Sequence, residues 1–122
     1  MLAHQGLLMS CSEYNSSVTA VWKNTIDWAS RPLPGEGSLA AFTGKVAAIM
    51  SASPGALGGL RGLVHVRAIL SNITVLVLPE QLAIVRAHEA FAADGSLKDP
   101  QQQATVQRIA GRLVEVLKKL SG

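Results

Sequence analysis

Three short runs of this chain are apolar without polar alternation. They are Gly6-Leu7-Leu8-Met9-Ser10-Cys11, Lys45-Val46-Ala47-Ala48-Ile49-Met50, and Thr74-Val75-Leu76-Val77-Leu78, which Pro79 closes. A strand that is apolar on both faces needs cover on both faces, the mark of a parallel sheet with helices above and below. Helical patterns lie between and after these runs. Val18, Val21, Trp22, Thr25, Ile26 and Ala29 recur at three/four spacing. Ser16 or Ser17 is available to cap that helix, and it ends near Arg31-Pro32, because the residue before a proline is pushed out of helical geometry. A second helix is predicted over Leu60 to Ser71. The last begins at Asp99-Pro100, a cap residue followed by proline in the first turn, and carries a stripe of Val106, Ile109, Ala110, Leu113, Val114, Leu117 and Leu120. Two irregular stretches, Pro32 to Gly44 and Arg86 to Lys98, interrupt the order, the second with a turn at Asp94-Gly95. The alternation predicts one α/β domain over residues 1–122: three layers, with an incomplete parallel sheet of three strands and three main helices.

Composition excludes several classes. At 122 residues, 48% hydrophobic and 16% charged, the chain can bury a modest aliphatic core and is not globally disordered. The net charge is +3, but only Lys118 and Lys119 are adjacent basic residues, so the basic stripe that nucleic-acid binding requires is missing. One cysteine, Cys11, cannot staple the chain and lacks partners for a metal site. His4, His65 and His88 share no ligand motif. Cys11 reads as a core residue and His65 as a surface or interface one. Asp27 and Arg31, one helical turn apart, read as an ion pair, and Trp28 as packing under the Pro32 loop in preference to facing a subunit. No run is long enough to span a membrane, and Met1 to Met9 reads without a secretory leader. A soluble, cytoplasmic protein is the expectation.

In parallel α/β sheets, ligands sit outside the carboxyl ends of the strands. Two segments fall there. Ser12-Glu13-Tyr14-Asn15-Ser16-Ser17 sets a carboxylate, a phenol and an amide just past a buried strand, which suits polar contact and stacking with a planar heterocycle. It reads equally as a polar turn that caps the next helix. Ser51-Ala52-Ser53-Pro54-Gly55-Ala56-Leu57-Gly58-Gly59-Leu60-Arg61 lets backbone approach a ligand closely and offers free amides at a helix start. It lacks both the P-loop and the dinucleotide spacing, and on its own reads more readily as a flexible strand-to-helix connection.

These residues carry a resemblance. Glu13-Tyr14-Asn15-Ser16-Ser17, followed by Lys23-Asn24-Thr25-Ile26-Asp27-Trp28-Ala29-Ser30-Arg31-Pro32, is similar to the hallmark of the NADPH-dependent FMN reductase family. Ser51 to Gly55, Gly58-Gly59-Leu60-Arg61, Val66-Arg67, Val77-Leu78-Pro79 and Lys98-Asp99-Pro100 fall in that family's order. The resemblance implies a flavodoxin-like fold that binds FMN, takes a hydride from NAD(P)H and passes electrons to a small-molecule acceptor: a quinone, an azo dye, a metal ion or free flavin. It implies cofactor contacts at Ser12, Glu13, Tyr14, Asn15 and Ser17, and at Ser53, Gly55, Gly58 and Gly59. The flavin does the chemistry, so no residue is assigned as a catalytic acid or base. Association as a dimer or tetramer is also implied.

The chain departs from the family pattern at several positions. Ser12 stands for the usual proline, Ser16 for the usual glycine, Thr19-Ala20 for a common Pro-Gly, and Trp22 for a leucine. The family's first strand and phosphate loop have no counterpart before Leu7, so ring-binding residues are expected without the phosphate-binding ones. The first strand is then expected to have an open apolar edge. The alternative is a truncated non-enzymatic remnant, or half of a split flavoprotein, with weak or no FMN binding.

Overall fold

In the computed structural model, which describes residues 1–122, the three apolar runs form one parallel sheet. The elements in chain order are β1 (Gly6–Ser10), β2 (Glu13–Tyr14), β3 (Ser17–Val18), α1 (Ala20–Ala29), β4 (Val46–Ala52), α2 (Leu60–Asn72), β5 (Leu76–Ile84), α3 (Ala87–Ala90) and α4 (Pro100–Leu120). The sheet order is β1-β4-β5, and β2 and β3 make a separate antiparallel hairpin. β1 therefore lies at an edge, and Leu8 on it is half exposed.

The central strand explains the missing polar alternation. Val46 and Ala48 pack with Leu78 of β5 and with Ile109 and Leu113 of α4. Ala47 and Ile49 point the other way, into a cluster with Ile26 of α1, Leu63, Val66 and Leu70 of α2, and Val75. All four β4 residues are buried, so both faces must be apolar. Each fully buried leucine or isoleucine contributes about 1.5–3 kcal/mol of transfer free energy. Cys11 joins the second cluster as a core residue. So does Phe42, fully buried although it lies in the Pro32–Gly44 loop, which it pins to the core. Lys45 is also buried, and its Nζ donates to the His4 carbonyl, tying the first residues to the start of β4.

Several elements differ from the sequence expectation. The third strand does not close at Pro79 but runs on to Ile84. Ala47 pairs with Val77 and Ile49 with Gln81, so one residue of β4 faces three of β5. Pro79 sits in this bulge, where its missing N–H removes no ladder bond. Arg67 of α2 braces the bulge: its guanidinium donates to the Leu78 carbonyl at 2.7 Å and to Gln81 Oε1 at 2.8 Å.

The first helix starts later than the periodicity suggests. Thr19 is the cap, its Oγ1 accepting from the Trp22 N–H at 3.1 Å, while Ser16 and Ser17 belong to the hairpin. Of the expected stripe only Ile26 is buried, and Val21 is 78% exposed. The reason is position: α1 flanks the edge strand, so only part of its apolar face finds cover. Asp27 pairs not with Arg31 but with Lys23, at 2.8 Å. Arg31 lies beyond the helix cap and stacks over Trp28 instead, 5.5 Å from the ring centroid. Trp28 is exposed rather than packed under the loop.

α2 closes in a Schellman motif, with the Val75 N–H on the Leu70 carbonyl at 3.0 Å and the Thr74 N–H on that of Ser71 at 3.2 Å. Thr74 takes the left-handed position (φ 74°) that glycine usually fills. α4 starts as its sequence predicts, with Asp99 accepting from the Gln101 N–H at 2.8 Å ahead of Pro100. Val114 and Leu120 of its stripe are exposed, and Val116 packs inward in their place. The Arg86–Lys98 stretch is not wholly irregular, since it holds α3.

Candidate functional site

The two candidate segments meet at the carboxyl ends of β1 and β4. The first is not a loose cap but a two-residue hairpin. Glu13 pairs with Val18 and Tyr14 with Ser17, and the turn is Asn15-Ser16. Both turn residues have positive φ, 52° and 69°, as a type I′ turn requires. This places Tyr14 and Asn15 at the exposed tip, and the Tyr14 residue is 69% exposed.

Glu13 turns away from the tip. Its Oε2 accepts from the Gly62 N–H at 2.6 Å, and Oε1 lies 3.8 Å from the Arg61 guanidinium. The carboxylate thus sits on the first turn of α2, where orphan amides and the helix dipole favour a negative charge. Gly62 permits this approach: a Cβ there would lie 3.2 Å from Glu13 Cβ and 3.3 Å from the Ser17 carbonyl. Ser17 Oγ is hydrogen-bonded to His65 Nδ1 at 2.7 Å. Ser12, exposed, leads into the hairpin.

The second segment is folded tightly against its neighbours. Ser51 Oγ donates to the Gly58 carbonyl at 2.7 Å. A Cβ on Gly58 would meet the Ile84 carbonyl carbon at 2.6 Å, and one on Gly59 would meet Ser51 Cβ at 2.8 Å. Both glycines have positive φ, 62° and 89°. They are therefore required by the fold of the loop itself. Ser53 bridges to β5 and α3, its N–H donating to the Ile84 carbonyl at 3.1 Å and its carbonyl accepting from the Ala87 N–H at 3.0 Å. Gly55 differs from Gly58 and Gly59: it is exposed, and the only atom a Cβ would approach is Ser53 Oγ at 3.8 Å. Gly59 and Glu13 are neighbours, which joins the two segments: the added Cβ would lie 3.7 Å from that of Glu13.

Sequence reasoning missed His65 as part of this arrangement. Its only signal is the spacing Gly62-x-x-His65, one helical turn, which sets both residues under the hairpin. Burial pushes the Cys11 thiol up to about 11, so it stays protonated at the end of β1 and is not poised as a nucleophile. Beside the hairpin, β1 and α1 line an open groove of about 610 Å³, floored by Leu7, Met9, Trp22 and Ile26. No group of three His, Cys, Asp or Glu side chains is placed to hold a metal ion. No helix is long and apolar enough to cross a membrane.

A parallel sheet covered by helices on both faces, with a glycine-rich loop and a polar hairpin at the carboxyl ends of its strands, defines a flavodoxin-like α/β domain. Comparison with known proteins agrees. The family described as NADPH-dependent FMN reductase matches residues 1–89, and the chain belongs to that family. It is 38% identical over 121 residues to an NAD(P)H-dependent FMN reductase of Pseudomonas aeruginosa, covering 98% of this chain and 63% of the relative. It is 34% identical over 110 residues to a quinone reductase of Escherichia coli K12, covering 88% of this chain and 54% of that one. Among solved structures it resembles FerB, a flavoenzyme NAD(P)H:(acceptor) oxidoreductase from Paracoccus denitrificans. That match has a TM-score of 0.71 and 29% identity, over 98% of this chain and 63% of the other. The chain thus spans less than two thirds of the length of each of these relatives.

Proposed function

We propose that this chain forms the ring-holding part of an FMN-dependent NAD(P)H oxidoreductase. The observation that carries the reading is the convergence of the Glu13–Val18 hairpin and the Ser51–Arg61 loop at one end of the sheet. The residues fit a flavin ring. Tyr14, the one tyrosine of the chain, is an aromatic left exposed at the hairpin tip beside the Asn15 amide. An exposed aromatic with an adjacent amide suits stacking on a planar heterocycle and hydrogen bonding to its polar edge. Gly55 leaves room for a ring edge to approach the backbone. Bound flavin would supply hydride acceptance and delivery. The protein's part is to hold and orient: Tyr14, Asn15, Ser53 and Gly55 toward the ligand, with Ser12 at the hairpin's entry. Glu13, Ser17, Gly58 and Gly59 act by keeping the two segments in register.

NAD(P)H as reductant and a quinone as acceptor are supported by the names of the relatives from Pseudomonas aeruginosa and Escherichia coli. The cytoplasm suits a chain whose single cysteine is buried and reduced. Association of two copies is supported by Val21 and Trp28 of α1 and Val64 of α2, which are 61–78% exposed. Light scattering after size exclusion is expected to give a discrete dimer or tetramer, and a monomer refutes association. The intact hairpin and loop support an oxidoreductase over a non-functional remnant. The purified chain mixed with FMN is expected to quench flavin fluorescence saturably and to oxidise NADPH when benzoquinone is added. Absence of both quenching and turnover would refute the reading.

A further inference from the structure

We infer that His65 is a positioning residue, which sets the hairpin that presents Tyr14 and Asn15. The inference rests on the functional reading above and extends it to a side chain outside the expected site.

A hairpin with two residues in each strand is too small to hold its shape in water, so its docking contacts decide its conformation. Two of them act on the outgoing strand: the Glu13 carboxylate on the Gly62 N–H at 2.6 Å, and Arg61 3.8 Å from the same carboxylate. The returning strand has one side-chain tie to the helix, Ser17 Oγ to His65 Nδ1 at 2.7 Å. Gly62 and His65 lie one turn apart on α2, so the two ties line up under the two strands. The turn between the strands adds to the need for restraint. Asn15 and Ser16 both hold left-handed backbone, a conformation that neither residue type prefers to extended forms. Without the His65 tie, the turn can relax and carry Tyr14 and Asn15 out of place. His65 itself lines none of the cavities of the fold, so its effect on a ligand must pass through Ser17.

Four proteins test this: wild type, His65→Ala, His65→Asn and the double variant His65→Ala/Ser17→Ala. The asparagine amide can reach the position of imidazole Nδ1, so His65→Asn is the rescue. The readouts are amide hydrogen exchange across Tyr14–Val18 in the free protein and the Kd for FMN. Loss of one hydrogen bond predicts hairpin exchange about three- to tenfold faster and FMN binding weaker by a similar factor in His65→Ala. His65→Asn should recover most of both, and the double variant should be no worse than the single. Unchanged hairpin exchange in His65→Ala overturns the assignment whether or not flavin binds. Equal loss in His65→Asn and His65→Ala does so as well. Failure of the wild-type chain to bind FMN overturns the functional reading instead, and with it any part for His65 in that chemistry.

Discussion

Ser16 shows how one residue sets both a strain and a blind spot. Asn-Gly is the strongest short signal for a two-residue hairpin, because both central residues need positive φ. Here the second position is serine, so the segment reads as a cap or polar turn and the hairpin is hidden. The backbone adopts the turn regardless, at φ 69°. Left-handed backbone costs an L-residue about 1–2 kcal/mol, against which glycine loses roughly 0.4–1 kcal/mol through a freer unfolded chain. Ser16→Gly is therefore expected to stabilise the protein by about 0.5–1 kcal/mol, read as a higher urea midpoint at constant slope. The glycines of the second segment divide the same way. Gly58→Ala forces a Cβ to 2.6 Å from the Ile84 carbonyl carbon, and the clash together with positive φ should cost about 2–5 kcal/mol. Gly55→Ala meets no such barrier and should leave the melting temperature within a degree or two, about 0.5 kcal/mol, while weakening FMN binding. Equal destabilisation by the two would contradict the division between scaffold and contact glycines.

At the scale of elements, the strands and the start of α4 are legible because burial dictates them. β4 is apolar on both faces because both faces are covered, and Asp99-Pro100 is a cap by its chemistry alone. What the local sequence hides are features set by distant partners. The bulge that carries β5 past Pro79 depends on Arg67, ten residues or more away in sequence. Arg67→Met should leave the Leu78 carbonyl without its charged donor and cost about 1.5–3 kcal/mol, with faster amide exchange confined to the second half of β5. The stripe on α1 fails for a related reason: spacing reports an apolar face, but only the neighbouring layer decides how much of it is covered. On α4, Lys119 and Arg112 flank Glu115 at 2.8 Å and hold its carboxyl down at about 2. A depressed carboxylate contributes stability above its unfolded value near 4.5 and loses it as pH falls toward 2. Wild type should therefore lose its advantage over Glu115→Gln across that window. The effect should be small and salt-sensitive because the group is exposed. A constant difference from pH 7 to pH 2 would contradict it.

For the whole molecule, the order of strands and helices, and the end of the sheet where the two candidate segments lie, follow from the sequence. The way the two segments are fastened does not. Glu13 illustrates the gap: as a carboxylate beside a tyrosine and an amide it reads as a ligand contact, yet its side chain is spent on the first turn of α2. Ser17 is likewise engaged by His65. The two segments come together because Glu13, Gly59 and Gly62 meet, three residues from separate parts of the chain. Tyr14, Asn15 and Gly55, which stay exposed, and the half-buried Ser53 are the residues proposed to face a flavin ring. Titration of the 15N-labelled chain with FMN, followed by amide chemical shifts, reads that placement residue by residue. Saturable shifts are expected, concentrated at Ser12–Ser17 and Ser53–Gly59. Shifts centred elsewhere, or none while the protein remains folded, would contradict it.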